Sequence, residues 1–99
     1  MMDFLVEFEI RVPPDYDPEL LADLLKRERT RAAEISASGS FFKMVWIVPC
    51  QRARITICSA ADAQELHGTI TSLPAGKWNE YQATPLIECD VGSSICIPD

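Results

Sequence analysis

Residues Asp3 to Val12 alternate without a break. Phe4, Val6, Phe8, Ile10 and Val12 fall on one side, and Leu5, Glu7, Glu9 and Arg11 on the other. A period of two over ten residues specifies a strand with one buried face. Pro13-Pro14-Asp15 ends it, because proline donates no ladder hydrogen bond. Asp17-Pro18-Glu19 then opens a helix: Asp17 caps free backbone N–H groups, Pro18 fits the first helical position, and Glu19 suits the positive end of the dipole. Its apolar stripe is Leu21, Leu24, Leu25, Ala32 and Ile35, and Ser38-Gly39-Ser40 stops it after about Ala37. Phe41 to Val48 reads as a second strand, Pro49 to Arg52 as a turn, and Ala53 to Cys58 as a third strand forming a hairpin with the second. Ser59 is placed to cap a second helix, with Asp62 three residues on. That helix shows Leu66, Ile70 and Leu73 on one face and ends at Pro74-Ala75-Gly76. A last strand runs from about Trp78 to Ile87.

The order is β-α-β-β-α-β. Within 99 residues it predicts an α+β ferredoxin-like sandwich: one antiparallel four-stranded sheet with both helices on one face. Residues 1–88 form this domain and 89–99 a tail, in which Val91-Gly92-Ser93-Ser94 onward is a poor folding segment. The core of so short a chain is thin. The sheet's other face has no cover, so a homo-oligomer built through the sheet, a dimer or higher, is expected.

Charge narrows the function. Fifteen acids against nine bases give −6, which argues against generic nucleic-acid binding. No apolar run approaches the ~20 residues of a membrane span, and the opening residues carry acids where a signal peptide needs bases; a cytoplasmic protein is expected. Lys26, Arg27, Arg29 and Arg31 cluster, as do Arg52 and Arg54, either as solvated faces or as a patch for a small anionic ligand. Cys50, Cys58, Cys89 and Cys96 contain no Cys-x-x-Cys pair and His67 is the only histidine, so neither zinc nor any other metal is expected. Cys89 and Cys96 are the pair able to bridge under oxidising conditions.

Glu28 is the most informative residue. It continues the stripe of the first helix, seven, four and three residues after Leu21, Leu24 and Leu25. A carboxylate there is either a group tuned by burial for acid–base work or an edge residue paired with Arg31 or Lys26. Arg52 and Arg54 lie at period two and share a face of the third strand. If that face is interior they clamp an anion by bidentate bonds; if exterior they are solvated. Trp46 and Trp78 line a pocket or fill the core. His67 flanks the second helix, as a structural residue or a site residue. Neither a hydrolase constellation nor a phosphate-cradling glycine loop has readable context.

The chain resembles the muconolactone delta-isomerase family from Phe4 to about Leu86. Phe4-Leu5-Val6-Glu7-Phe8 with Val12-Pro13-Pro14-Asp15 is similar to the family's first strand and turn. Glu28-Arg29, Glu34 and Gly39 match the first helix, Ile47-Val48 and Ile55-Thr56-Ile57 the next strands, Glu65-Leu66-His67 and Leu73-Pro74 the second helix, and Thr84-Pro85-Leu86 the last strand. The resemblance implies a ferredoxin-like fold, a large homo-oligomer that is typically a decamer built of dimers, no cofactor, and a reaction that moves a carbon–carbon double bond in a carboxylated lactone. It also implies Glu28 as the acid–base residue. The pocket departs from the family: Trp46 stands for its arginine, Phe41 for its tryptophan, Arg52 and Arg54 for its tyrosine and asparagine, and Gly76-Lys77-Trp78 for its Phe-Pro-Tyr. A relative with shifted specificity is therefore expected.

Two kinds of function follow. One is an isomerase in aromatic catabolism or a related biosynthetic pathway, with Glu28 as base, Arg52 or Arg54 as carboxylate anchor, and Trp46, Trp78 and His67 around the substrate. Dehalogenase and cyclase chemistry are close variants. The other is a non-catalytic ligand-binding module on the same fold. A cavity joining Glu28 to an arginine favours the first, and a cavity closed by Trp46 and Trp78 the second.

Overall fold

The structure, a computed structural model, describes residues 1–92. Six elements follow one another: β1 (Met2–Ile10), α1 (Pro18–Ser38), β2 (Phe42–Val48), β3 (Ala53–Ala60), α2 (Ala63–Thr71) and β4 (Asn79–Leu86). The strands form one sheet in the order β2-β3-β1-β4, every pair antiparallel. This is the expected ferredoxin-like arrangement. No helix among the described residues is long and apolar enough to cross a membrane.

β1 is central because its alternation fits partners on both edges. Val6 stands opposite Thr56 of β3 and Ala83 of β4, and Thr56 opposite Val45 of β2. Residues directly opposed share a face. One face therefore carries Phe4, Val6, Phe8 and Ile10 with Arg54, Thr56, Cys58 and Ala60. Leu66 and Ile70 of α2 pack there on Phe4, Val6, Cys58 and Ala60 to form the core. The other face carries Leu5, Glu7 and Glu9 with Ile55 and Ile57, and no helix covers it. β1 ends two residues before the expected Val12, because β3 starts only at Ala53 and β4 only at Asn79. The last contacts are Ile10 N to Arg52 O (3.1 Å) and Arg11 N to Trp78 O (2.8 Å).

The cap of α1 is as expected. Pro18 opens the helix, and the Asp17 carboxylate accepts from Glu19 N at 2.9 Å. The cap of α2 is not. Ser59 is buried within β3, where its N–H bonds Phe41 O. The strand runs two residues past Cys58, and the cap falls to Asp62, whose carboxylate accepts from Glu65 N at 2.8 Å while Glu65 accepts from Ala61 N. Cys58 is a buried free thiol. The pairing considered for Cys89 with Cys96, and most of the tail beyond Val91, fall outside the described residues.

Two tight turns aim the functional residues. Val48 to Gln51 closes with Gln51 N to Val48 O at 3.2 Å, and Cys50 there takes φ 65°, a conformation that glycine adopts more readily. It delivers Arg52 to the end of β3. The turn after α2 is held by Gly76 N to Leu73 O and Trp78 N to Ala75 O, both 2.8 Å. A Cβ on Gly76 would lie 2.2 Å from Thr71 O and 2.9 Å from Leu73 O. Both are backbone atoms that cannot swing aside. Gly76→Ala should therefore cost about 1–3 kcal/mol, the range for forced overpacking, as a drop in urea midpoint with unchanged slope.

Candidate active site

On α1, the positions that are not exposed are Leu21, Leu24, Leu25, Glu28, Ala32 and Ile35. Glu28 thus belongs to the stripe. Arg31, offered above as its partner, instead pairs with Glu34 at 3.1 Å. In the first half of the helix the stripe is leucine, and Leu24 is buried. In the second half Ala32, Ala33 and Ser36 face the sheet, and side chains that small leave space.

That space is a cavity of about 320 Å³ between α1 and the helix-side face of the sheet. Its apolar wall is Phe8, Ile10, Phe42, Val45 and Leu73. Its ionisable residues are Glu28, Arg29, Arg52 and Arg54. Arg54 is half-buried, because it lies opposite Phe8 in the middle of the sheet. A larger concavity of about 500 Å³ lies on the uncovered face among Glu7, Glu9, Arg11 and Glu80. Arg54 and the half-buried Glu9 line it as well, but Glu28 lines the helix-side cavity and not this one, which makes the helix-side cavity the candidate site.

Glu28 is fixed from two sides. Its Oε1 accepts from Ala75 N at 3.3 Å, in the turn that Gly76 holds. The Asn79 side chain lies beside the carboxylate; both its amide atoms are buried without a hydrogen bond of normal geometry. Burial raises the Glu28 pKa above the ordinary 4.5, and the Ala75 and Asn79 contacts only partly offset it. A half-buried carboxylate facing an apolar space, with a pKa moved toward neutrality, is what proton transfer at carbon requires.

Glu28, Arg52 and Arg54 are thus brought together on one cavity. Three other residues expected near a substrate are elsewhere. Trp46 stands opposite Ile55 on the uncovered face and is 46% exposed; strand parity gives its neighbour Val45 the cavity position. Trp78 meets Tyr16 edge-on at 5.7 Å, under the Lys77 ammonium. His67 is exposed and shares a hydrogen bond between its Nδ1 and the Tyr81 hydroxyl. Sequence reasoning missed Asn79 and the Ala75 amide, which reach Glu28 only through tertiary folding. It placed Arg29 in a basic cluster without linking it to the cavity. Among the described residues no group of three or more His, Cys, Asp or Glu lies together as a metal site.

Comparison with known proteins agrees with the fold. The family model for muconolactone delta-isomerase matches residues 2–90. The muconolactone delta-isomerase of Rhodococcus opacus is 26% identical over 83 residues, covering 84% of this chain and 88% of the relative. That of Acinetobacter lwoffii is 29% identical over 94 residues, covering 95% of each. A crystal structure of muconolactone isomerase superposes with a TM-score of 0.78 at 22% identity, covering 89% of this chain and 91% of that one, which supports the fold. The names of the relatives support an isomerase-like function. The chain belongs to the muconolactone delta-isomerase family.

Proposed function

We propose that the chain is an isomerase that moves a C=C double bond by a proton shuttle within a small carboxylated lactone or related enone. The observation that carries this reading is Glu28, a carboxylate of raised pKa on the wall of an apolar cavity whose other ionisable residues are arginines. The Glu28 carboxylate takes a proton from a carbon next to the substrate carbonyl. The electron pair left behind delocalises onto the carbonyl oxygen and, through the double bond, onto the far carbon. Glu28 then returns the proton at the far carbon of the conjugated unit, and the double bond has moved. A nearby guanidinium, Arg52 or Arg54, anchors the substrate carboxylate and favours the developing negative charge. The step needs one base and one cationic donor. Muconolactone is the first substrate to screen, given the names of the relatives. A simple binding module has no use for a base held at this pKa.

The uncovered sheet face supports a further part of the proposal: the working form is a homo-oligomer. Leu5, Ile55 and Ile57 share that face with Met44 and Trp46, which are 56% and 46% exposed. A second copy would remove this apolar area from water. The protein should elute as a dimer or a larger multiple at micromolar concentration. Light scattering that gives a stable species near 11.1 kDa would exclude it.

Glu28→Gln keeps the shape of the side chain and its acceptor for Ala75 N but removes the base. Turnover on the best lactone should fall about 10²–10⁴-fold in kcat, with KM little changed. A fully active variant ends the mechanism.

The same variant has a stability signature. A carboxylate whose folded pKa is raised binds its proton more tightly in the folded chain. Between the unfolded value of about 4.5 and the raised folded value, stability therefore falls as pH climbs; above the folded value the loss is complete and constant. Glu28→Gln lacks this loss. Its Tm should match wild type at pH 4, rise above it through the window, and then hold a fixed advantage. A Tm difference that does not depend on pH would show that burial does not tune Glu28.

A further inference from the structure

Three of the six arginines have carboxylate partners: Arg11 with Glu9 and Glu80, Arg27 with Asp23, and Arg31 with Glu34. The other three, Arg29, Arg52 and Arg54, make no ion pair among the described residues, and all three line the Glu28 cavity. The chain as a whole is at −6. On such a surface an unpaired guanidinium has carboxylates to choose from. Arg54 and Arg52 also border concavities that Glu9 lines, yet neither pairs with it, and the space that all three arginines share has Glu28 as its sole acid. Arg29 cannot use that acid, since adjacent helical residues point different ways.

The arginines come from two walls. Arg52 and Arg54 sit two residues apart at the start of β3, about 6.6 Å along the strand. Arg29 sits on α1 across the cavity. One carboxylate offers about four lone-pair sites and is saturated by two bidentate guanidiniums. Arg54 also donates to its neighbour's carbonyl, Ala53 O, at 3.3 Å, which leaves the rest of its donors free. A single carboxylate held by Arg52 and Arg54 leaves Arg29 without an acceptor.

We infer that the cavity takes a ligand with two anionic groups, one held at the sheet by Arg52 and Arg54 and the other on the helix side by Arg29. The inference rests on reading this cavity as the substrate site, and it deepens that reading: the substrate carries a second carboxylate or an equivalent anion beyond the one a simple carboxylated lactone provides. The specificity of the chain then lies in Arg29 together with the β3 pair.

Rigid acid pairs that differ only by a methyl in place of a carboxylate test this directly. Fumarate against crotonate covers a short span, and terephthalate against 4-methylbenzoate a longer one. Affinities are read by calorimetry or NMR titration on the full chain at one ionic strength. The overall negative charge disfavours the dianions, so a preference for them has to come from the site. The expected result is at least a fivefold preference for the dianion in one pair. Arg29→Ala should reduce it below twofold while leaving the monoanion affinity unchanged. Lys26→Ala removes a charge from the same helix outside the cavity and should leave the preference intact. A smaller preference in both pairs, no measurable binding of either dianion, or a preference that survives Arg29→Ala overturns the inference. The readout is binding, not turnover. Lactone activity without dianion preference removes only this inference, and dianion preference without lactone activity removes only the isomerase reading.

Discussion

Strand parity is the constraint from which the rest of the structure follows. β1 is nine residues long and pairs with β3 and β4 on its two edges, so its two sides set the sides of every other strand. Phe4 and Val6 must go under α2 to make a core. Once they do, the antiparallel register places Thr56 and Arg54 beside Val6 and Phe8, and the same register turns Trp46 away. A shift of one residue in β3 would move Arg54 to solvent and Ile55 to the cavity, because side chains change face at every step. The position of the cavity arginine Arg54 is thus decided by an apolar cluster at the other end of the sheet.

The cavity is the product of a stripe that changes in size along α1. Leu21, Leu24 and Leu25 turn the apolar side of the first half of the helix away from solvent, with Leu24 buried. Ala32, Ala33 and Ser36 do not fill the distance that those leucines set. A small protein rarely has volume to spare, since cores pack densely. Here the space is kept by leaving large side chains out of one helix turn after another, and the sheet below it is lined by Phe8, Ile10, Phe42 and Val45. Glu28 stands where the leucine half gives way to the alanine half. It is buried enough for its pKa to rise, and still open enough to reach a bound molecule.

The fold was legible because it is written in local periodicities. The alternation of β1, the Asp17-Pro18-Glu19 start, the Leu66-Ile70-Leu73 face and the turn residues each fix one element, and few topologies join six such elements in so short a chain. Ser59 failed as a cap because tertiary pairing extended β3 through it, and Asp62 could do the same work three residues later. Glu28 was legible as a polar residue on an apolar stripe. Arg52 and Arg54 were legible as a pair, but their side of the sheet was not, since it depends on register with strands elsewhere in the chain. Trp46 was misread for the same reason: its neighbour Val45 has the inward parity. Asn79 and the Ala75 amide carry no local signal. They meet Glu28 only because the turn after α2 folds back over α1, 47 residues along the chain.

The separation between the base and the arginines has a consequence for the chemistry. A guanidinium in contact with Glu28 would hold its carboxylate ionised and lower its pKa, which would weaken it as a base. The groups that act on Glu28 are instead neutral, a backbone amide and an asparagine, and burial outweighs both. The cavity therefore sets neutral donors beside Glu28 and leaves its cationic residues without an acidic partner. When an anion occupies the arginines, their charge is offset and the cavity loses water. Loss of water acts on Glu28 in the direction that burial already does, away from the ionised form. Under the proposed reaction, a ligand that closes the cavity would then raise the proton affinity of Glu28 without moving it from the place where Ala75 holds it.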